Sequence, residues 1–295
     1  MMPENPQFTA DILKDIRQLF EFAFMVNAFR AGTIVAVTAA LMGWFVVLRR
    51  QTFAAHTLAL VGFPGAAGAI LLGIAAPYGY FASALGASLV MAALPVDRKG
   101  YSQESAVVGT VQAFALALGF LFFSLTRRNI TGAQALLFGS FLGITSDQVV
   151  ALSVGAVAVL LVLAYIGRPL LFASIDPDVA AARGVPVNTL SVVFLLLLGL
   201  AAAEASQITG SLLVFALLVL PAATAEKLTP NPAKSIVATV VIAVLTTWVS
   251  LTASYYSNYP IGFFITSVAF AAYVVASVWE MLGARRWLPG TAGHQ

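Results

Sequence analysis

"GTIVAVTAALMGWFVVL", Gly32 to Leu48, carries no charge and stops against Arg49 and Arg50. A second uncharged run extends from Val185 to Ala203. Crossing the hydrocarbon core of a bilayer takes roughly 20 predominantly apolar residues in helical form, and several runs in this chain reach that length. The composition agrees. Of 295 residues, 60% are hydrophobic and 9% charged, with a mean hydropathy of +0.95, whereas a soluble domain carries about a quarter charged residues. A large core cannot absorb that deficit. The chain reads as an all-α, polytopic transmembrane helical bundle, a multi-pass protein whose surroundings are membrane lipid.

Working outward from Gly32, the apolar runs predict nine spans: Arg30–Leu48, Thr57–Ala75, Tyr80–Val96, Ser105–Leu125, Val149–Phe172, Val187–Ser206, Gly210–Thr224, Ile236–Ser254 and Gly262–Leu282. The seventh is short for a full crossing. The run "LLFGSFLG" from Leu136 is shorter still and is expected at the surface before the fifth span. Together these make one membrane unit over residues 25–283, flanked by an N-terminal segment, 1–24, and a cytoplasmic tail, 284–295. In the first segment Ile12, Ile16, Leu19 and Phe20 recur at helical spacing, which predicts an amphipathic helix on the membrane surface. It has no basic region ahead of an apolar stretch, so it does not read as a secretory signal.

Lysine and arginine set the orientation in the cell membrane. With the N-terminus outside and the C-terminus in the cytoplasm, Arg49, Arg50, Arg98, Lys99, Arg168, Arg183, Lys227, Lys234, Arg285 and Arg286 fall inside. Lys14, Arg17, Arg30, Arg127 and Arg128 remain outside, the minority. Tyr78, Tyr80, Tyr255, Tyr256 and Tyr259 then form an expected outer aromatic belt, and Trp279 and Trp287 mark the inner face. The net charge of +3 follows from basic residues at span ends and does not argue for nucleic acid.

Enzyme chemistry finds no foothold. The chain has no cysteine, and its histidines are His56 and His294, so neither a thiolate metal site nor a His-Glu-x-x-His zinc site can form. None of Lys14, Lys99, Lys227 and Lys234 follows a phosphate-binding glycine loop. If ATP drives this protein, another subunit binds it. No covalent cofactor is expected.

Polar residues inside spans are costly, about 2.5–3.5 kcal/mol for a charge at the bilayer centre, and are therefore candidates for function. His56, at the start of the second span, and Glu204, near the outer end of the sixth, stand out. An interfacial imidazole bonded to a carbonyl, or a carboxylate in outer-leaflet water, would be the plain alternatives. Glu104 and Glu226 lie near cytoplasmic span ends, where water is in reach. The second span reads "LVGFPGAAGAILLG": its small residues suit close helix packing, while Pro64 beside Gly65 suits a broken helix lining a pathway. Gly210 and Pro221 repeat the theme around the short seventh span.

Between the fifth and sixth spans lies "SIDPDVAAARGV", Ser174 to Val185. Asp176 is a good N-cap, Pro177 suits the first helical position, Asp178 complements the dipole, and Gly184 suits a left-handed stop. So short a helix is unstable alone in water. It persists against its own bundle or against a partner.

These pieces, in order, resemble one family. "GWFVVLRRQTFAAHTLALVGFPGAAGA" from Gly43 is similar to the first-to-second span region of the zinc/manganese class of ABC importer permeases. "LLFGSFLGITSDQV", "SIDPDVAAARGV", "ITGSLLVFALLVLPAATA" and "YYSNYPIGFF" match further blocks of that family, so the resemblance runs from Phe24 to Leu282. It implies a fold similar to the cobalamin- and siderophore-type permeases. It also implies a pair of permeases, identical or related, over two ATPase subunits, with an extracytoplasmic solute-binding protein delivering cargo. The segment Ser174–Val185 would then carry the coupling helix, with Asp176, Pro177, Asp178, Ala181, Arg183 and Gly184 meeting the ATPase. The translocation pathway would involve His56, Leu60, Pro64 and Gly65, with His56 the metal contact for zinc, manganese or iron.

The pattern departs from the family at one place. Many metal-carrying members have Asp-x-x-x-His at the start of the second span, where this chain has His56 and Leu60. The outer turn likewise carries Asn258 where relatives often have Asp. A single imidazole is not a metal site. Two rivals therefore stand beside the metal importer: an ABC permease for a non-metal cargo, and a gradient-driven secondary transporter, which would need mid-span carboxylates that the chain almost lacks.

Overall fold

The computed structural model describes residues 12–93, 101–126, 130–140, 143–257 and 259–285. Arg98, Lys99, Arg127, Arg128, Asn258, Arg286, Trp287 and His294 lie outside the described residues, as do residues 1–11 of the expected N-terminal segment. The secondary structure of the described residues is helical throughout: α1 (Ile12–Glu21), α2 (Ala23–Leu48), α3 (Thr52–Leu71), α4 (Ala76–Ala93), α5 (Tyr101–Leu125), α6 (Ile130–Phe138), α7 (Ser146–Ile175), α8 (Pro177–Ala182), α9 (Val187–Thr209), α10 (Val214–Leu228), α11 (Pro232–Tyr255) and α12 (Ile261–Arg285).

Each of the nine expected spans coincides with one helix: α2, α3, α4, α5, α7, α9, α10, α11 and α12. Six of these, α2, α3, α7, α9, α11 and α12, are long and apolar enough to cross a membrane unaided. α10 has 15 residues, about 22 Å at 1.5 Å per residue, against a hydrocarbon core of about 30 Å. α4 is diluted by Pro77, Tyr78, Tyr80 and its serines. Such helices are held in place by their neighbours rather than by lipid alone.

α2 is the central post, contacting α7, α9, α10 and α11. It runs antiparallel to α11, pinned near each end by an indole donor. Trp44 Nε1 donates to Ser235 Oγ at 3.1 Å, and Trp248 Nε1 donates to Thr33 Oγ1 at 2.9 Å. α3 is the second post, carrying α4 and α5 and touching α9. In lipid there is no hydrophobic drive between apolar helices, so packing rests on close approach and hydrogen bonds. Glycine supplies the approach: Gly65 of α3 meets Gly79 and Ser83 of α4, and Gly43 of α2 meets the Leu218 backbone of α10, with no room for a β-carbon at either place.

α3 runs unbroken through Pro64. Of the two readings of this span, close packing is the one observed: the helix is not broken at Pro64, and Gly62 and Gly65 seat the α4 face that carries Tyr80 and Ser83. α10 likewise continues through Pro221. The helix turns instead at Gly210, φ +77°, where α9 stops and a buried bend leads into α10.

α6, which holds the start of "LLFGSFLG", has nine residues, too few to cross; it packs over the α9–α10 bend, and the Leu136 and Leu137 carbonyls accept from Ser211 N and Leu212 N, both at 3.1 Å. One further expectation is corrected: not all the tyrosines form a belt. Tyr80 is buried with its hydroxyl donating to the Leu136 carbonyl at 3.0 Å, and Tyr255 is buried beside Tyr256. Tyr78 and Tyr259 are the exposed ones, as is Trp279.

Candidate functional site

Arg49 and Arg50 lie where α2 turns into α3, Arg183 where α8 leads into α9, and Lys227 and Lys234 where α10 leads into α11. Arg49 caps α2, and Arg50 follows with φ +56° in the left-handed region. Gln51 N then donates to the Val46 carbonyl at 2.9 Å, closing a turn that starts α3 at Thr52. His56 sits one turn into that helix. Its imidazole is half-buried and meets the ring of Phe215 on α10 edge-on, with centroids 5.2 Å apart and planes at 75°. His56 Nδ1 is buried without a hydrogen-bond partner, so the interfacial-carbonyl alternative does not hold for that nitrogen.

Leu60 is buried one turn further on. Pro64 and Gly65 belong to another surface. At 3.6 residues per turn, Gly65 lies about 180° around the helix from His56. With Thr57 and Val61 it lines a cavity of about 490 Å³ between α3, α4 and α5. Its walls include Val90, Met91, Phe114 and Phe122. The hydroxyls present there are already engaged: Thr57 donates to the Phe53 carbonyl at 2.9 Å and accepts from Gln112 Nε2 at 2.8 Å, and Ser83 donates to the Tyr80 carbonyl at 3.2 Å. Such a cavity suits apolar matter and offers little to a divalent cation. The four residues tied to the pathway therefore do not converge on one surface: His56 faces α10, and Gly65 faces α4.

The loop after α7 folds as its residues dictate. Asp176 Oδ1 accepts from Val179 N at 3.0 Å, Pro177 opens α8, and Gly184 closes it with φ +82°. Of the α8 residues only Ala180 is buried. Asp178, Val179, Ala181 and Ala182, followed by Arg183 and Gly184, face outward. Ile175 at the end of α7 and Val179 in α8 add exposed apolar side chains, 69% and 44% exposed. A short, well-capped helix with a mixed apolar and charged outer face is suited to docking on another protein.

Glu204 is 1% exposed, and neither carboxylate oxygen has a hydrogen-bond partner. The outer-leaflet-water alternative is thus replaced by burial against α7 at Gly155. Among the described residues, no three of His, Cys, Asp and Glu come close enough together to hold a metal ion.

Arg49 is the residue whose part the sequence reading missed. Its guanidinium reaches Ser174 on α7, Ser191 on α9 and the ring of Phe194. Beside Arg50 it counted only as a topological charge, and those partners are remote in sequence.

Glycine-packed posts, a buried bend and an outward-facing capped helix define a multi-pass helical membrane bundle. The chain belongs to the ABC 3 transport family, whose model matches residues 21–280. It is a multi-pass, non-catalytic permease component, which sets aside the gradient-driven rival. It is 31% identical over 213 residues to the manganese import system permease protein ScaB of Streptococcus gordonii, covering 71% of this chain and 74% of that one. It is 27% identical over 245 residues to the chelated iron transport system membrane protein YfeC of Yersinia pestis, covering 83% and 82%. The fold matches a chain of PsaBC from Streptococcus pneumoniae in complex with Fab, with a TM-score of 0.80 at 24% identity, covering 90% of this chain and 95% of that one.

Proposed function

We propose that this chain is the permease of an ABC importer for a divalent transition metal, with manganese and iron ahead of zinc. Membership of the ABC 3 transport family carries the reading, and relatives named for manganese import and for chelated iron transport support the choice of cargo. In this reading the end bearing Arg49 and α8 faces the cytoplasm, the N-terminus is outside and the C-terminus inside. α8, through Asp176, Pro177, Asp178, Ala181, Arg183 and Gly184, docks on the ATPase that supplies all hydrolysis. A second permease, identical or related, completes the pathway, and a solute-binding protein loads it from outside.

His56 is the proposed contact for the translocated ion. Imidazole suits iron and zinc, whereas manganese favours carboxylate and carbonyl oxygen, so the one imidazole needs further ligands, which a second permease would bring. Leu60, Pro64 and Gly65 would act through the shape and seating of α3 without coordinating the ion. A non-metal cargo is the second reading, favoured by the apolar Leu60 one turn from His56 and by the lack of a three-ligand cluster among the described residues.

The test is purification of the tagged chain from its native membrane in mild detergent. A stoichiometric P-loop ATPase, with hydrolysis stimulated by manganese(II), iron(II) or zinc(II) in the presence of the binding protein, is the expected result. A lone chain, under conditions that preserve other membrane complexes, would overturn the importer. An ATPase complex indifferent to all three metals would select the second reading.

A further inference from the structure

Arg49 spans the two strands of chain that carry α8. Its Nη1 donates to Ser174 Oγ at 3.2 Å, in the last turn of α7, and its Nη2 donates to Ser191 Oγ at 2.9 Å, in the second turn of α9. Ser174 lies just before the Asp176 cap, and Ser191 follows the Gly184 stop, so one guanidinium holds both legs of the α8 loop. Each acceptor is itself fixed. Ser174 Oγ donates to the Leu170 carbonyl, and Ser191 Oγ donates to the Val187 carbonyl, which turns a lone pair of each hydroxyl towards the arginine. The guanidinium carbon also stands 5.2 Å from the centroid of the Phe194 ring, a cation–π arrangement.

On its own side, Arg49 belongs to the tight turn that starts α3. Its backbone N–H donates to the Phe45 carbonyl at 2.9 Å, its Nε reaches Gln51 Oε1 at 3.4 Å, and Gln51 N closes back onto Val46. No flexible linker intervenes between this turn and His56. The recorded acceptors of Arg49 are two hydroxyls and an amide, with no carboxylate among them. A planar fork reaching neutral acceptors fixes direction and spacing, yet separates more easily than a buried ion pair, whose partner would be stranded as a charge. That is the chemistry of a joint rather than of a permanent clasp.

We propose that Arg49 is the positioning residue that transmits displacement of α8 to α3 and so couples the ATPase to the helix bearing His56. The proposal rests on the importer reading. Motion of α8 shifts the ends of α7 and α9. Through its two serine contacts Arg49 carries that shift to the α2–α3 turn, and α3 moves as one rigid element because it is unbroken through Pro64.

The experiment uses the complete complex, permease with its ATPase and binding protein, in proteoliposomes. It reads manganese(II) transported per ATP hydrolysed, alongside ATPase content after size exclusion. Arg49→Gln is expected to assemble and hydrolyse ATP while transport per ATP falls by about fivefold or more, the lower end of typical coupling between sites. Arg49→Lys, a point charge without the fork, is expected to restore less than half of the loss. Ser174→Ala with Ser191→Ala keeps the charge and removes both acceptors; it is expected to reproduce the loss and to add nothing to Arg49→Gln. A ratio unchanged in the double serine variant, or losses that multiply when it is combined with Arg49→Gln, would overturn the joint while leaving the importer standing. A wild-type complex that moves no metal would overturn the importer reading and the joint with it.

Discussion

The carboxylate of Glu204 on α9 occupies the space that a β-carbon on Gly155 of α7 would fill. The two residues are one packing unit, and neither makes sense alone. Glu204 is almost fully buried with both oxygens unpartnered, and an ionised carboxylate in such surroundings is strongly disfavoured unless paired. Glu204→Gln keeps the shape and removes the charge, so thermal unfolding in detergent is expected at an unchanged or higher temperature. Gly155→Ala displaces only the Glu204 carboxylate, a side-chain end that can turn aside, and is expected to cost at most about 1 kcal/mol, the low end of overpacking. A large drop in stability for Glu204→Gln would show that the carboxylate form itself is required.

His56→Ala tests the proposed ion contact. The imidazole is half-buried and touches Phe215 from one side, so its loss leaves the helix posts and the α8 loop intact. Folded yield and ATPase association are expected to be unchanged, while metal uptake falls at least about tenfold, a loss of roughly 1.4 kcal/mol or more in the transport step. Uptake at the wild-type level would remove His56 from the mechanism and shift weight to a non-metal cargo.

How much of this was legible in the sequence follows the range of the forces involved. The helices and α8 were legible because hydropathy runs and capping chemistry are local: Asp176, Pro177 and Gly184 act on residues three or four positions away. Tyr80 was misplaced because its burial depends on Gly62, which makes room for its ring, and on the carbonyl of Leu136, fifty-six positions along the chain. Pro64 left two readings open for a related reason. Proline removes one donor from the helix ladder, yet whether the helix then parts depends on its neighbours, and α4 and α5 both pack along α3. The depth of Glu204 along its span could be read, but its burial could not, since Gly155 sits on another helix. The separation of His56 from Gly65 could have been read from helix periodicity alone; which neighbour each faces could not.

The outer face of α8 makes a charge-reversal test possible. Arg183→Glu and Asp178→Lys alter exposed positions, so membrane insertion is expected to hold while the ATPase recovered per permease falls. Asp176→Ala acts differently. It removes the bond to Val179 N and is expected to cost about 1 kcal/mol of local helix stability, loosening the docking element without changing its face. Native stoichiometry in both charge-reversal variants, measured by quantitative gel densitometry of the purified complex, would exclude α8 as the docking helix.

The contact between α3 and α4 can be separated from the cavity beside it. A β-carbon on Gly65 would collide with the Gly79 carbonyl and with Ser83, both on the partner helix, and backbone cannot swing aside as a side chain can. Gly86 lines the same cavity and has open space where its β-carbon would go. Gly65→Leu is therefore expected to abolish folded protein, and Gly65→Ala to cost about 1–3 kcal/mol as α3 and α4 separate. Gly86→Ala is expected to leave stability unchanged or raise it by up to about 1 kcal/mol, the helix-propensity gain of alanine over glycine. Fluorescence-detected size exclusion after graded heating distinguishes these outcomes. Equal sensitivity at both glycines would mean that cavity volume, rather than the crossing of two backbones, sets the tolerance of this face, and Gly65 would then matter for what occupies the cavity rather than for how α3 is seated.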